Sequence, residues 1–195
     1  MYRESCSRYT FHLGPAVLWR DPIPLRERDF AVSMTGNYIR ISPTQLSEFQ
    51  GKPDSVVDFI FTRTYDTEDD RQIDIDKTWH GIHFLLTGDP WKGEPPLFNA
   101  VMGGKQIGTE DPGYGPPRYL TPDQVRDVAQ ALSEIHASDL RSRFDPERFA
   151  REDIYPNIWD EGEEALDYLM DYYVELVRFF SSAAAAGDAV LLCIM

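Results

Sequence analysis

The end of the chain constrains the fold most, because a long amphipathic stretch there runs straight into six consecutive apolar residues. Over residues 160–185, Leu166, Leu169, Met170, Tyr173, Leu176, Val177 and Phe180 recur at helical spacing. Asp160, Glu161, Glu163 and Glu164 crowd the first turns, where the helix dipole favours negative charge. Gly187 ends the helix, and AVLLCI over 189–194 reads as a fully buried strand. A helix followed at once by such a strand points to an α+β layout.

Earlier segments fit that layout. NYIRI over 37–41 alternates and is rich in β-formers, a strand. Ser42-Pro43-Thr44-Gln45 then supplies an N-cap, a proline at the first helical position and a glutamine three residues on, a capping box that opens a short helix to about residue 50. Gly51 and Pro53 break it. Residues 54–65 read as a second helix with Val57, Ile60 and Phe61 inward, 67–71 as a charged loop, and 76–86 as a third helix. A helical piece at 97–102, a strand at 105–108 and a Gly/Pro loop at 113–117 follow.

Thr121-Pro122-Asp123-Gln124 repeats the capping pattern and starts a helix to about residue 137, with Val125, Val128, Ala129, Leu132 and Ile135 inward. Asp145-Pro146 caps another short helix over 147–153. The expectation is one compact α+β domain with a small mixed sheet, first and last strands adjacent, packed with several helices.

Bulk properties narrow the class. The 195 residues suit one domain, and 42% hydrophobic content suits a packed core. A net charge of −14 would repel a phosphate backbone, so no nucleic acid is expected; it would steer toward a basic partner. Cys6 and Cys193 stand at opposite ends without metal-type spacing, which suits a reducing cytoplasm. No run reaches the length of a membrane span.

Residues 1–33 scatter Pro15, Pro22 and Pro24 among Arg3, Arg8, Arg20, Arg26 and Arg28, without the apolar run and cleavage site of a secretory signal. They read as a poorly ordered extension before a domain at 34–195, with Met34 as a natural start. A short strand over 16–19 is the alternative.

Several segments, in order, carry a resemblance: GNYIRIS, IDIDKTWHGIHFLLTG, PLFNAVMGG, GYGPPRYLTPDQV, IYPNIW and the terminal helix and strand. Together they resemble the YfbM-like family, a bacterial domain of unknown function (1877), over residues 35–195. The family pattern falls on Asp76, Lys77, Trp79, His83, Phe84, Leu86, Thr87 and Gly88. The resemblance implies a compact cytosolic α+β domain and brings no activity with it.

Candidate chemistry concentrates at 73–88. On a helix Asp76, His80 and His83 are spaced i, i+4, i+7 and share a face, where they could bind a divalent metal or pair as base and orienter. Trp79, Ile82, Phe84, Leu85 and Leu86 occupy the rest of the circumference, which favours buried hydrogen-bond anchors over ligands. Replacing His83 by alanine would then cost about 1–3 kcal/mol through an unsatisfied partner. Lys77 is either an anion-binding cation at a pocket mouth or one member of a helical ion pair. Trp79 reads as a core anchor ahead of a stacking platform. His12 and His136 stand alone, so no metal or cofactor is assigned.

The loop 113–120 is the second candidate. Its glycines permit close approach of a ligand, and Tyr114, Arg118 and Tyr119 supply stacking and charge. A rigid connector held by Pro116 and Pro117 is the plainer reading. GGKQIG over 103–108 lacks dinucleotide spacing, and no GxSxG elbow occurs. Tyr155-Pro156 and Trp159 read as a packing corner that orients the final helix. Two functions follow. The first is a non-enzymatic interaction protein whose acidic surface meets a basic protein partner, in the manner of an inhibitor or immunity protein. The alternative is an enzyme or small-molecule binder with a pocket between the Asp76/His80/His83 helix and the 113–119 loop.

Overall fold

The computed structural model describes residues 33–64 and 70–195. The extension expected at 1–33, apart from Ser33, and most of the charged loop at 67–71 lie outside the described residues. The chain opens with β1 (Gly36–Ile41), whose end passes directly into α1 (Pro43–Gly51). Ser42 Oγ accepts from Gln45 N–H and Gln45 Oε1 accepts from Ser42 N–H, so both halves of the expected capping box form. After a 3-10 turn at Pro53–Ser55 come α2 (Val56–Thr64) and a short strand, β2 (Gln72–Asp74). A second 3-10 turn, Asp76–Thr78, leads into α3 (Trp79–Thr87). The middle of the chain holds β3 (Lys105–Gln106) and β4 (Arg118–Leu120).

Four helices follow: α4 (Pro122–Ser133), α5 (Ala137–Ser142), α6 (Pro146–Arg151) and α7 (Glu163–Ala186). The helix expected to run to residue 137 stops at Ser133, because extended His136 serves as the N-cap of α5. Gly187 closes α7 in the left-handed conformation, at φ 70°, where a side chain would be strained. It releases the chain into β5 (Ala189–Ile194).

The strands form one sheet in the order β2-β1-β5-β4-β3. β1 and β5 pair along their whole length, Gly36 opposite Ile194 and Ile41 opposite Ala189, as the adjacency of first and last strands requires. Every pairing is antiparallel, where a mixed sheet was expected. The excursion through α1 and α2 brings β2 back against β1, and the one through α4–α7 brings β5 back between β4 and β1, antiparallel each time.

Strand alternation sorts the core into two layers. Tyr38, Leu120, Val190 and Leu192 face one side, against α3, α4 and α7. Ile39, Ile41, Tyr119, Leu191 and Cys193 face the other, against Leu46 of α1 and Val56 and Ile60 of α2. β5 is therefore buried on both faces, which is what its unbroken apolar run demanded. α7 lays Leu169, Tyr173, Leu176 and Phe180 on the first layer, each buried Leu or Phe contributing roughly 1.5–3 kcal/mol. Gly81 lets α3 and α7 approach: an added Cβ would sit 2.6 Å from Leu169 and 2.8 Å from the Trp159 ring. Trp159 is buried and donates to the Ile154 carbonyl at 2.5 Å, so IYPNIW is a packing corner. Among the described residues no helix is long and apolar enough to cross a membrane.

Candidate functional site

The histidine segment does not assemble as the helical spacing suggested. α3 begins only at Trp79, and Asp76 lies in the preceding 3-10 turn at φ 49°. Asp76 is thus off the histidine helix, and the i, i+4, i+7 geometry does not apply to it. Its carboxylate accepts from Tyr168 Oη at 2.8 Å, on α7. Burial, reinforced by that carboxylate, pushes the Tyr168 hydroxyl well above its ordinary range. Lys77 is half-buried in the same turn. Among the described residues no three His, Cys, Asp or Glu side chains group as a metal site.

His80 is 1% exposed and uses both ring nitrogens. Tyr155 N–H donates to Nδ1 at 3.0 Å, so the proton sits on Nε2, which donates to the Pro90 carbonyl at 2.9 Å. Its ring stacks on Trp79, with centroids 4.9 Å apart and planes 13° from parallel, and Trp91, 60% exposed, covers it at 4.4 Å. Trp79 is buried and donates to the Met34 carbonyl, the role of a core anchor.

His83 is completely buried and poorly satisfied. Nε2 lies 3.4 Å from Thr87 Oγ1, and Nδ1 finds no partner in good geometry, although a backbone group of Lys92 is close enough to favour the charged ring. Burial, then the neighbouring His80, lowers its pKa to about 4. The expected anchor is therefore His80, and His83 does not fill that role.

The second candidate divides across the sheet. Residues 118–120 form β4, so Arg118 and Tyr119 point to opposite faces. Tyr119 is buried on the α1/α2 side, where its hydroxyl accepts from Gln50 Nε2 at 2.9 Å. Tyr114 is exposed, and its backbone N–H donates to the Ile194 carbonyl. Of the seven candidates, Arg118 lines a cleft on the described surface. Its Nε and Nη2 donate to the Gly103 and Gly104 carbonyls, both at 3.1 Å.

That cleft, of about 580 Å³, opens at the β3 edge of the sheet and is lined by Asn99, Lys105, Gln106, Arg118 and Gln124, with no Asp or Glu. In a chain of net charge −14, an acid-free polar cleft is a local reversal. Its floor donor is Asn99, which is 7% exposed. Gly104 N–H donates to one end of the carboxamide at 3.3 Å, so that end is the oxygen and Nδ2 is the donor left without a protein partner among the described residues. An added Cβ at Gly103 would collide with the Asn99 carboxamide and Cα, so only glycine lets the chain fold around this side chain.

Gln124 is fixed in the same way. Its Oε1 accepts from Thr121 N–H at 3.0 Å in the capping box of α4, which leaves Nε2 as a second donor. Asn99, Lys105 and Gln124 escaped the sequence reading. The signals lay in PLFNAVMGG and in the second capping box, both read as local structure and as carriers of the family resemblance.

These features define a three-layer α+β domain, one antiparallel sheet covered by helices on both faces, with a donor-lined cleft at the sheet edge. The chain belongs to the family described as a domain of unknown function, DUF1877, which matches residues 32–193. It is similar to protein YfbM of Escherichia coli (strain K12), 33% identical over 92 residues that make up 45% of this chain and 53% of that protein. The alignment thus spans about half the relative's length. The crystal structure of YfbM from Escherichia coli, a protein of unknown function, has the same fold: the TM-score is 0.65 over 83% of this chain and 100% of that one, at 23% identity. The expected family and α+β class are both borne out.

Proposed function

We propose that this protein is a non-enzymatic binding protein whose ligand is a small polar molecule seated between Asn99 and Gln124. One observation carries the reading: a nine-tenths buried carboxamide, held in a single orientation by Gly104 N–H, presents an unused N–H donor to an acid-free cleft. Preorganised donors of this kind favour binding because little ordering entropy remains to be lost. The pocket expected beside the 113–119 loop keeps Arg118 but exchanges the histidine helix for the 93–99 segment and α4 as its other walls. A cytoplasmic setting belongs to the same reading, supported by Cys193, a free thiol inside β5 that burial pushes up to about 12.

The test is a thermal-shift screen of carboxylate- and carbonyl-bearing metabolites on the intact protein, repeated with Asn99→Asp. That change keeps the acceptor for Gly104 N–H and converts the free donor into an acceptor. Hits on wild type are expected to weaken at least about tenfold in the variant, the loss of one hydrogen bond to a charged group. Hits indifferent to the change, or none at all, would overturn the reading.

A second reading keeps the acidic surface. On α7, Glu164, Asp167, Asp171 and Glu175 recur on the solvent face, and Glu164 and Asp171 have no ion-pair partner among the described residues. Such a stripe would receive a basic protein partner, as an inhibitor or immunity-type protein would. If so, partners captured by wild type at about 50 mM salt are lost both at about 300 mM and by Glu164→Gln/Asp171→Asn. Capture insensitive to both changes counts against it.

A further inference from the structure

A second, smaller cleft of about 190 Å³ lies at the C-terminal end of α3, lined by residues 84–88 together with Arg143 and Arg148. The two arginines are its only ionisable groups, and it shares no residue with the Asn99 cleft. Arg143 closes α5 and Arg148 belongs to α6, so three helices converge there. Neither arginine has an ion-pair partner among the described residues, whereas Arg40, Arg126, Arg141, Arg151 and Arg178 each meet a carboxylate. Asp145 spends Oδ1 on the Arg148 backbone N–H at 3.1 Å, not on the guanidinium. In a chain of net charge −14, two unneutralised guanidiniums in one small cleft concentrate positive potential.

Both heads are held in place by few of their donors. Arg143 Nη1 donates to the Leu85 carbonyl at 3.1 Å, and Arg148 Nη2 donates to the Gly88 carbonyl at 2.6 Å. The Arg148 guanidinium also lies over the Phe84 ring, 4.6 Å from its centroid. Capping the end of α3 accounts for those two bonds and leaves the remaining donors of each head free. On Arg143 the free donors include Nε and Nη2, the edge that grips an oxyanion with two parallel bonds. Arg118, by contrast, spends that same edge on the Gly103 and Gly104 carbonyls.

We propose that Arg143 and Arg148 clamp a phosphoryl group, a site separate from the Asn99 cleft. A carboxylate has two oxygens, which one guanidinium fork uses up; a phosphoryl group has enough acceptors for two arginines. The volume sets the size. At about 190 Å³ the cleft falls below the roughly 300 Å³ at which pockets for drug-sized ligands begin. It admits a tetrahedral oxyanion with a few waters of about 30 Å³ each, and leaves the body of any larger molecule outside. The phosphoryl group is therefore either free phosphate or the exposed end of a phosphomonoester.

The experiment is calorimetric titration of the full chain with inorganic phosphate and with glycerol 3-phosphate, at constant ionic strength so that general screening does not change. Saturable binding of at least one is expected, and the tighter of the two names the source. Arg148→Lys keeps the charge but loses the planar fork, and should weaken binding about tenfold. Arg143→Gln/Arg148→Gln should abolish it; where that protein does not fold, Arg148→Lys carries the test. Arg178→Gln, which removes an exposed arginine outside the cleft, should leave binding unchanged. If the arginines serve only to cap α3, their variants melt lower than wild type while neither phosphate compound binds any of the proteins, and the proposal is overturned. Binding that survives the double substitution, or that Arg178→Gln weakens equally, overturns it as well.

Discussion

Replacing His80 with leucine is expected to lower the unfolding free energy by about 3 kcal/mol, whereas the same change at His83 should shift it by less than about 1 kcal/mol. The two residues lie one helical turn apart and are equally buried, so exposure cannot separate them. Their partners do. Leucine at His80 leaves Tyr155 N–H without its acceptor and the Pro90 carbonyl without its donor, two half-buried groups that cost about 1 kcal/mol or more each when orphaned. It also removes the parallel stack on Trp79, worth about 0.5–1.5 kcal/mol. At His83 an apolar residue of similar size loses a 3.4 Å contact to Thr87 and the nearby Lys92 backbone group, can keep apolar contact with Phe98, and eliminates a buried nitrogen that has no partner in good geometry. Urea denaturation of the two variants beside wild type decides the matter. Equal losses would show that His83 holds a partner the geometry does not reveal.

The same contrast explains what could be read in the sequence and what could not. Elements whose start is encoded locally were legible: Ser42 and Thr121 each form the full capping box their four-residue patterns announce. So was β5, since six apolar residues in a row allow little but a strand covered on both faces. β2 and β4 were not legible. Each is three residues long and exists because a longer strand, β1 or β5, lies alongside. Missing β4 had a direct consequence, for residues read as neighbours in a loop, Arg118 and Tyr119, belong to opposite faces of a sheet.

Asp76 failed for a related reason. A helical wheel assumes the helix has begun, and a left-handed residue in a 3-10 turn breaks that assumption without leaving a mark in the composition. The cleft was hidden more deeply. Asn99 and Gln124 are separated by 25 positions, and only the packing of the 93–99 segment beside α4 aligns their donors. A legible trace was Gly103, required by the Asn99 side chain beside it.

Acid should reveal the second histidine. The protein is expected to lose about 2 kcal/mol of stability between about pH 6.5 and pH 4, and His83→Leu should remove most of that loss. In the unfolded chain a histidine takes up its proton near 6.5. In the folded protein burial, then the adjacent His80, hold that event down to about 4 at His83. Between those values the unfolded state binds more protons, so stability rises with pH there. The contribution is complete above about 6.5, declines as the solution is acidified, and is gone below about 4. The full separation corresponds to about 3 kcal/mol, of which about 2 falls within the interval because the group is only half-titrated at either end.

His80 acts in the same direction: burial lowers it, against the Pro90 carbonyl and Asp153, and its Nδ1 cannot take a proton without breaking the bond from Tyr155 N–H. Asp74 acts oppositely, because burial raises its pKa, and Asp89, lowered by the Trp91 and Lys92 amides, acts only at more acid pH. Urea midpoints of wild type and His83→Leu at about pH 7 and about pH 4.5 therefore isolate one ring. A variant that loses as much stability as wild type over that interval would transfer the acid sensitivity to the carboxylates and to His80.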